Sequence, residues 1–402
     1  MSASPDESDA RWPSSFEGQL LRRTSMLAML VHTLIIPLSI ILVLCIVALP
    51  IFWPLLALYA LIMFLDSRSE SGAPLNWFQR WCRRWWWWKA FAAYYPIRLH
   101  KTVDLAPSAP PVVGDTLMEH LSPWSWPDFP LFAPLWPLVT AVKFVGQLIG
   151  WRFVGWRILG SHKPTLPPSG NATKYLFGIS PHGIISMGAF GAIATDGAGW
   201  SKLFPGVNVR LLTLASNFYF PFYRQYLLST GIASVSKQSC INLLNNNQNI
   251  CIVLGGAPES LLAEPGEFNL VLDRRFGFAK VALQTGAHLV PVLSFGENDI
   301  YEQVKFSPGS LGDKFHHWMT RYLGFTLPLF HARGIFNYDR GFMAYRRPIN
   351  VVVGKPIEVP LTPNPSKELV QHYHSLYIAK LKELFAENVD KYSPGVELHI
   401  VG

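Results

Sequence analysis

Residues 175–191 read YLFGISPHGIISMGAFG, and the fold is decided there. Tyr175 to Phe177 is a short apolar run suited to a buried strand, and from Ile184 onward Gly and Ala residues suit a closely packed helix. Between them lies a polar turn of Ser180, Pro181, His182 and Gly183. A strand that passes through such a turn into a helix is the repeating unit of an α/β domain.

The same alternation continues outward. Apolar runs at Val209 to Leu214, Ile250 to Leu254, Leu289 to Leu293 and Ile349 to Val353 predict further strands. Helices are expected over 184–194, 218–229, 236–245, 276–285 and 366–388. Residues 171–402 therefore read as a cytosolic α/β domain, a largely parallel sheet flanked by helices. At 402 residues the chain has room for that domain and more.

The remainder points to a membrane. Half of the chain is hydrophobic and only 15% is charged, against about 25% in soluble domains. Residues 1–24 are polar and read as a disordered cytosolic tail. From Leu27 to Leu65 nearly every residue is apolar, and His32 is the one side chain there that charges near neutral pH. As one helix this run would extend about 58 Å, roughly twice a hydrocarbon core, so two short transmembrane helices over 25–66 are expected. Pro50 and Pro54 sit where the reversal would fall. Arg22 and Arg23 precede the run, and Arg68, Arg80, Arg83, Arg84 and Lys89 follow it. Basic flanks stay on the cytosolic side, which requires a hairpin.

Residues 67–105 read as an interfacial collar, because the run Trp85 to Trp88 is interleaved with Arg and Lys and indole rings favour the headgroup region. Residues 106–170 form a Pro-rich and apolar insertion, suited either to lie in the interface or to dip into the bilayer without crossing it. The net charge of +8 fits an anionic leaflet or a polyanionic ligand. No nucleic-acid partner is expected, since zinc-finger spacing, a basic heptad region and an aromatic RNA-binding signature are all absent from the sequence. The four cysteines, Cys45, Cys82, Cys240 and Cys251, have no CxxC spacing and read as reduced, mostly buried thiols.

Three polar turns follow expected strands: Ser180 to Gly183, Gly255 to Ser260, and Phe295 to Asp299. Ligands of open α/β sheets bind beyond the C-terminal strand ends, so these turns are expected to converge. His182 precedes a helix start, whose positive dipole end keeps an imidazole neutral and able to accept a proton. Such a base needs a carboxylate to orient it; Glu259 is the first candidate and Glu297 the second. Ser180, Pro181, Gly183, Gly255, Gly256, Glu297 and Asn298 are expected to line the substrate site. Ser180 beside His182 also permits a nucleophile and base pair, but the GxSxG elbow of serine hydrolases is missing. Two basic clusters, Arg274, Arg275 and Lys280, and Arg346 and Arg347, either bind phosphates or face anionic lipid. No metal-ligand spacing occurs, and no metal is expected.

Several motifs occur in order: FGISPHGIISMGAF, LFPG, FPFYRQYLLSTG, GGAPESLLAEPG, RRFGFAKVALQTGAHLVPVLSFGEN, YRRPINVVVGKPI and YHSLYIAKLKELF. Together they resemble the type-2 diacylglycerol acyltransferase family, which also includes monoacylglycerol and wax-alcohol acyltransferases, from about Phe64 to Tyr392. The resemblance implies acyl-CoA as co-substrate, no cofactor, and transfer to the hydroxyl of diacylglycerol to give triacylglycerol. It also implies a multi-pass hairpin in the endoplasmic reticulum membrane with both termini cytosolic, and residence on lipid droplets; a homo-oligomer is left open. His182 becomes the expected general base, with Glu259 orienting and charge-balancing it and N–H groups near Gly183, Gly255 and Gly256 facing the oxyanion. Arg274, Arg275, Lys280, Arg346 and Arg347 would hold the nucleotide end of coenzyme A. The family carries His-Pro-His-Gly where this chain has Ser180-Pro181-His182-Gly183, so His182 is the histidine retained. The related glycerophosphate acyltransferases place Asp five positions after their histidine, where this chain has Met187, which argues against lysophosphatidate as acceptor. A monoacylglycerol or fatty-alcohol acyltransferase, or a non-catalytic lipid-droplet hairpin protein, is the alternative.

Overall fold

A computed structural model describes residues 16–108, 173–304, 307, 309–312, 314, 330–334 and 341–402. The first fifteen residues of the expected tail, and all of the expected insertion 106–170 from residue 109 on, lie outside the described residues. In chain order the strands are β1 (Ile97–Lys101), β2 (Tyr175–Ser180), β3 (Val209–Thr213), β4 (Ala233–Ser234), β5 (Asn249–Val253), β6 (Phe268–Val271), β7 (His288–Phe295), β8 (Glu302–Gln303), β9 (Phe330–His331), β10 (Ile349–Val353) and β11 (Leu398–Val401).

Seven of them form one sheet in the order β1-β10-β7-β2-β5-β3-β4. Its pairings are parallel except that β10 runs antiparallel to β7. Every residue of β2 is buried, because both faces of the sheet are covered and a strand in that position must be apolar throughout. Tyr175, Phe177 and Ile179 point into one core and Leu176 into the other. This is the mixed, mostly parallel α/β architecture that the motif pattern implies.

The expected collar contributes to the sheet. β1 lies within 67–105 and pairs with β10, from Ile97 opposite Ile349 to Lys101 opposite Val353. As an edge strand it is exposed at Arg98 and Lys101, so its sequence IRLHK carries the polar residues that made it unreadable as a core strand. Arg83, expected at the headgroups, is only 8% exposed and donates to the carbonyls of Val209 and Ile193 at 2.6 Å each. The collar is thus stitched to the domain from inside, while Trp77 and Trp81 stay exposed.

The N-terminal helices are α1 (Phe16–Val47) and α2 (Trp53–Leu65), joined through a 3-10 turn at Pro50–Phe52; α3 (Trp77–Arg83) and α4 (Trp86–Tyr94) follow. α1 begins inside the stretch expected to be a tail. In place of two equal spans, the described residues hold one helix long and apolar enough to cross a membrane, Glu17–Val47, and a shorter apolar helix after it. Pro50 opens the 3-10 turn and Pro54 lies in the first turn of α2, where a missing N–H costs nothing.

One stripe of α1 is built into the domain: Ser25, Ala28 and Met29 are fully buried, and α1 packs along α4. His32 Nδ1 lies 2.6 Å from the Tyr226 hydroxyl, and the Tyr59 hydroxyl of α2 donates to Gln225 at 2.5 Å. The hydrogen bonds of α1 to the domain are thus made at His32 and Thr33, the helix is mostly exposed from Pro37 on, and the chain returns to the same short helix, Tyr223–Ser229, by Tyr59. Between those points lie exposed apolar residues, among them Leu38, Ile41, Leu44, Ile51, Trp53 and Leu55. Cys82, Cys240 and Cys251 are buried as expected, whereas Cys45 on this stretch is exposed.

Candidate active site

β2 delivers the chain to the rim of the sheet at Ser180, and its two neighbours, β5 and β7, each run on past the same rim to a buried glutamate. The three expected turns therefore converge. The Ser180–Pro181 peptide is cis, and His182 follows it, half-buried.

Glu259, 1% exposed, reaches the turn from the β5 side. Its Oε1 accepts the main-chain N–H of His182, and its Oε2 accepts that of Val271 at 2.8 Å. Glu297, also 1% exposed, comes from the β7 side. Its oxygens accept the N–H groups of Met187 at 2.6 Å and Gly188 at 2.7 Å, and the Ser294 hydroxyl donates to it at 3.0 Å. Burial pushes each carboxyl up to about 7, and in both cases the donated hydrogen bonds pull the other way.

Neither carboxylate bonds the imidazole, contrary to the expectation that Glu259 orients the ring. Its oxygens instead meet the N–H groups that the turn and β6 direct at it. The ring is oriented by its own neighbour: His182 Nδ1 lies 2.9 Å from the Gly183 carbonyl oxygen. A carbonyl can only accept, so Nδ1 carries the hydrogen and Nε2 keeps its lone pair in the neutral ring. Burial holds the imidazole below its ordinary pKa, and the Gly183 carbonyl opposes that shift.

The expected helix from Ile184 is also different. Ser186 takes a left-handed conformation with φ of 55°, a short helix covers Met187–Ala189, and a π turn covers Phe190–Ala194. Glu297 caps the first free N–H groups of that helix, so burial rather than an open helix dipole keeps His182 neutral. Glycine is required twice here. Gly183 has φ of +59° and a Cβ would meet Glu297 Cγ at 2.5 Å; at Gly188 a Cβ would meet Ser294 Oγ at 2.4 Å.

The other expected residues divide. Ser180 is fully buried and its hydroxyl has no hydrogen-bond partner, so it is not paired with His182 as a nucleophile. Gly255 and Gly256 open the short helix Gly256–Ser260, below Glu259. Arg275 donates to the Gly255 carbonyl at 3.4 Å and lies close enough to Glu259 to favour its charged form. Arg274 and Lys280 are exposed. Asn298 spends its amide on the Glu267 carbonyl at 2.8 Å. Arg346 and Arg347 precede β10, which is antiparallel to β7, so they stand at the same rim as His182 but on the opposite flank from Arg275. Ser294, Val271 and Ser186, whose hydroxyl donates to the His182 carbonyl at 2.9 Å, were not foreseen. Only Ser294, directly before the FGEN motif, carried a signal.

A neutral, half-buried imidazole with Nε2 free, in a turn clamped from both sides, can take a proton from a hydroxyl. Comparison with known proteins bears on which hydroxyl. The profile of a family described as diacylglycerol acyltransferase matches residues 45–122 and 167–401. Diacylglycerol O-acyltransferase 1 of Saccharomyces cerevisiae is 41% identical over 385 residues, covering 95% of this chain and 87% of the yeast protein. Diacylglycerol O-acyltransferase 2A of Umbelopsis ramanniana is 45% identical over 285 residues, covering 66% and 79%. 2-Acylglycerol O-acyltransferase 1 of Bos taurus is 46% identical over 230 residues, covering 56% and 68%. No solved structure matches.

Proposed function

This chain belongs to the diacylglycerol acyltransferase family, and from that premise we propose that it esterifies diacylglycerol with the acyl group of acyl-CoA, with His182 as general base. The observation that carries the base assignment is the Nδ1–Gly183 contact, which leaves Nε2 free to accept.

His182 Nε2 removes the proton of the diacylglycerol hydroxyl as its oxygen attacks the thioester carbonyl. The tetrahedral intermediate collapses with loss of coenzyme A thiolate, which takes the proton back from the imidazolium. Products are triacylglycerol and free coenzyme A. The Gly183 N–H, which makes no hydrogen bond among the described residues, supports a role in holding the oxyanion. Glu259 and Glu297 act on the main chain and fix where His182 stands. Arg346 and Arg347, at the same rim, suit the phosphates of the donor.

The exposed stretch between Thr33 and Tyr59 is the part that enters lipid. From Pro37 to the end of α1 at Val47 it extends about 16 Å, roughly half of a hydrocarbon core. We therefore read the anchor as entering one leaflet from the cytosolic side, a geometry suited to the endoplasmic reticulum bilayer and to the single phospholipid layer of a lipid droplet, with both termini cytosolic.

The test is turnover of labelled acyl-CoA by the full chain in vesicles containing diacylglycerol, monoacylglycerol or a fatty alcohol. Diacylglycerol should be the preferred acceptor, and His182→Ala should cost about a thousandfold, within the range of a lost general base. Undiminished turnover by His182→Ala would end the base assignment.

A further inference from the structure

His32 and Thr33 are consecutive residues in the otherwise apolar stretch of α1 from Leu27 to Leu38, and they touch the two segments that frame His182. The His32 ring lies 4.0 Å from the Phe190 ring, centroid to centroid, and Nδ1 is 2.6 Å from the Tyr226 hydroxyl. Phe190 opens the π turn directly after Met187–Ala189 and stacks on Tyr226 at 6.0 Å. Thr33 Oγ1 lies 3.2 Å from the Tyr301 hydroxyl. Tyr301, 1% exposed, ends the segment that begins at Glu297.

Glu297 in turn holds the N–H groups of Met187 and Gly188. Contacts and chain continuity together close a loop: α1 touches Phe190, which continues the helix Met187–Ala189; that helix is held by Glu297, whose 3-10 turn runs on to Tyr301, and Tyr301 touches α1. A helix that served only to tether would need no polar contact with these segments, whereas His32 and Thr33 each place a polar atom within hydrogen-bond distance of a domain hydroxyl.

We propose that α1 is a working part of the active site. Seated through His32 and Thr33, it sets the grip of Glu297 on Met187 and Gly188 and thereby the position of His182. His32 and Thr33 are positioning residues and do not touch the reacting atoms. The proposal rests on the assignment of His182 as base, and it links the entry of the anchor into lipid to the chemistry through Phe190, Tyr301 and Glu297.

The experiment uses the full chain in diacylglycerol-containing vesicles, with His32→Phe, Thr33→Val and Tyr226→Phe, and reads vesicle flotation, steady-state kinetics and amide hydrogen exchange. All three variants should float with the vesicles as the parent does. His32→Phe with Thr33→Val should lower kcat about tenfold, the size of one or two lost hydrogen bonds, and leave KM for acyl-CoA unchanged. Exchange at Met187 and Gly188 should rise about tenfold as the local opening free energy falls. Tyr226→Phe should reproduce His32→Phe and add nothing to it, because both remove one bond. Parent-like kcat and exchange in floating variants, or an effect on KM alone, would reduce α1 to a tether. His182→Ala separates the two readings: it should lower turnover about a thousandfold while leaving exchange at Met187 and Gly188 at the parent rate. If turnover survives His182→Ala, the base assignment falls and the exchange data still decide the role of α1.

Discussion

The carboxylate of Glu259 grips the backbone N–H of His182 and leaves the imidazole to the carbonyl of Gly183. The division matters because it separates placing the base from tuning it. Glu259→Gln puts an amide donor among N–H donors and should lower kcat about 30-fold, the equivalent of a lost charged hydrogen bond of ~2 kcal/mol. The pKa of the His182 imidazole, read by NMR, should stay where it is, below the ordinary histidine value of 6.5, because burial of the ring sets it. An imidazole pKa that falls in the variant would show that Glu259 stabilises the imidazolium after all.

Glu297 makes fold stability depend on pH. Its carboxyl holds a proton up to about 7 in the folded chain against an ordinary 4.5. A raised carboxyl stabilises the fold on the acid side, so its contribution is full below 4.5 and is lost as pH rises through about 7. The amount is on the order of 3 kcal/mol. Melting temperatures of the parent should therefore carry a falling component between these values, to which Glu259, likewise raised to about 7, adds its own, and Glu297→Gln should make the fall shallower; parallel curves for the two proteins would refute the linkage.

Ser180 should be dispensable to catalysis. Its hydroxyl is buried without a partner, which costs about 1 kcal/mol that alanine does not incur. Ser180→Ala is expected to melt slightly higher and to keep turnover within about twofold of the parent. Loss of turnover in a stable Ser180→Ala protein would return this hydroxyl to the mechanism.

The two parts of the anchor should fail differently. Leu44, Ile51 and Leu55 are 62%, 81% and 63% exposed, so replacing all three with Ser removes about 2 kcal/mol of lipid burial at each site without touching the fold. Vesicle flotation should fall while the melting temperature holds. Met29 is fully buried in the core, and Met29→Ala should cost ~2–5 kcal/mol of stability with flotation retained in the folded fraction. Equal loss of flotation in both would mean that α1 enters lipid as far as Met29.

Legibility in the sequence followed burial. β2, β3, β5, β7 and β10 were readable because strands covered on both faces are apolar along their length, whereas β1, exposed on one side, hid among arginines and lysines. The antiparallel setting of β10 left no trace, since strand direction does not alter which residues are apolar. The helix expected at 184–194 broke into a turn, a short helix and a π turn. Glu297, from more than a hundred residues away, competes there for the N–H groups of Met187 and Gly188.

By itself the sequence determined that Tyr175–Ser180 is a core strand ending in a histidine turn, that a long apolar segment lies near the start of the chain, and, through its ordered motifs, the family and its reaction. Only the tertiary structure decided that two glutamates hold the main chain around His182, that Gly183 orients the ring, and that His32 and Thr33 join α1 to that frame. Periodicity reports which side of an element is apolar. Which loops meet beyond the sheet depends on strand order, and that is settled only when β5, β2 and β7 lie side by side.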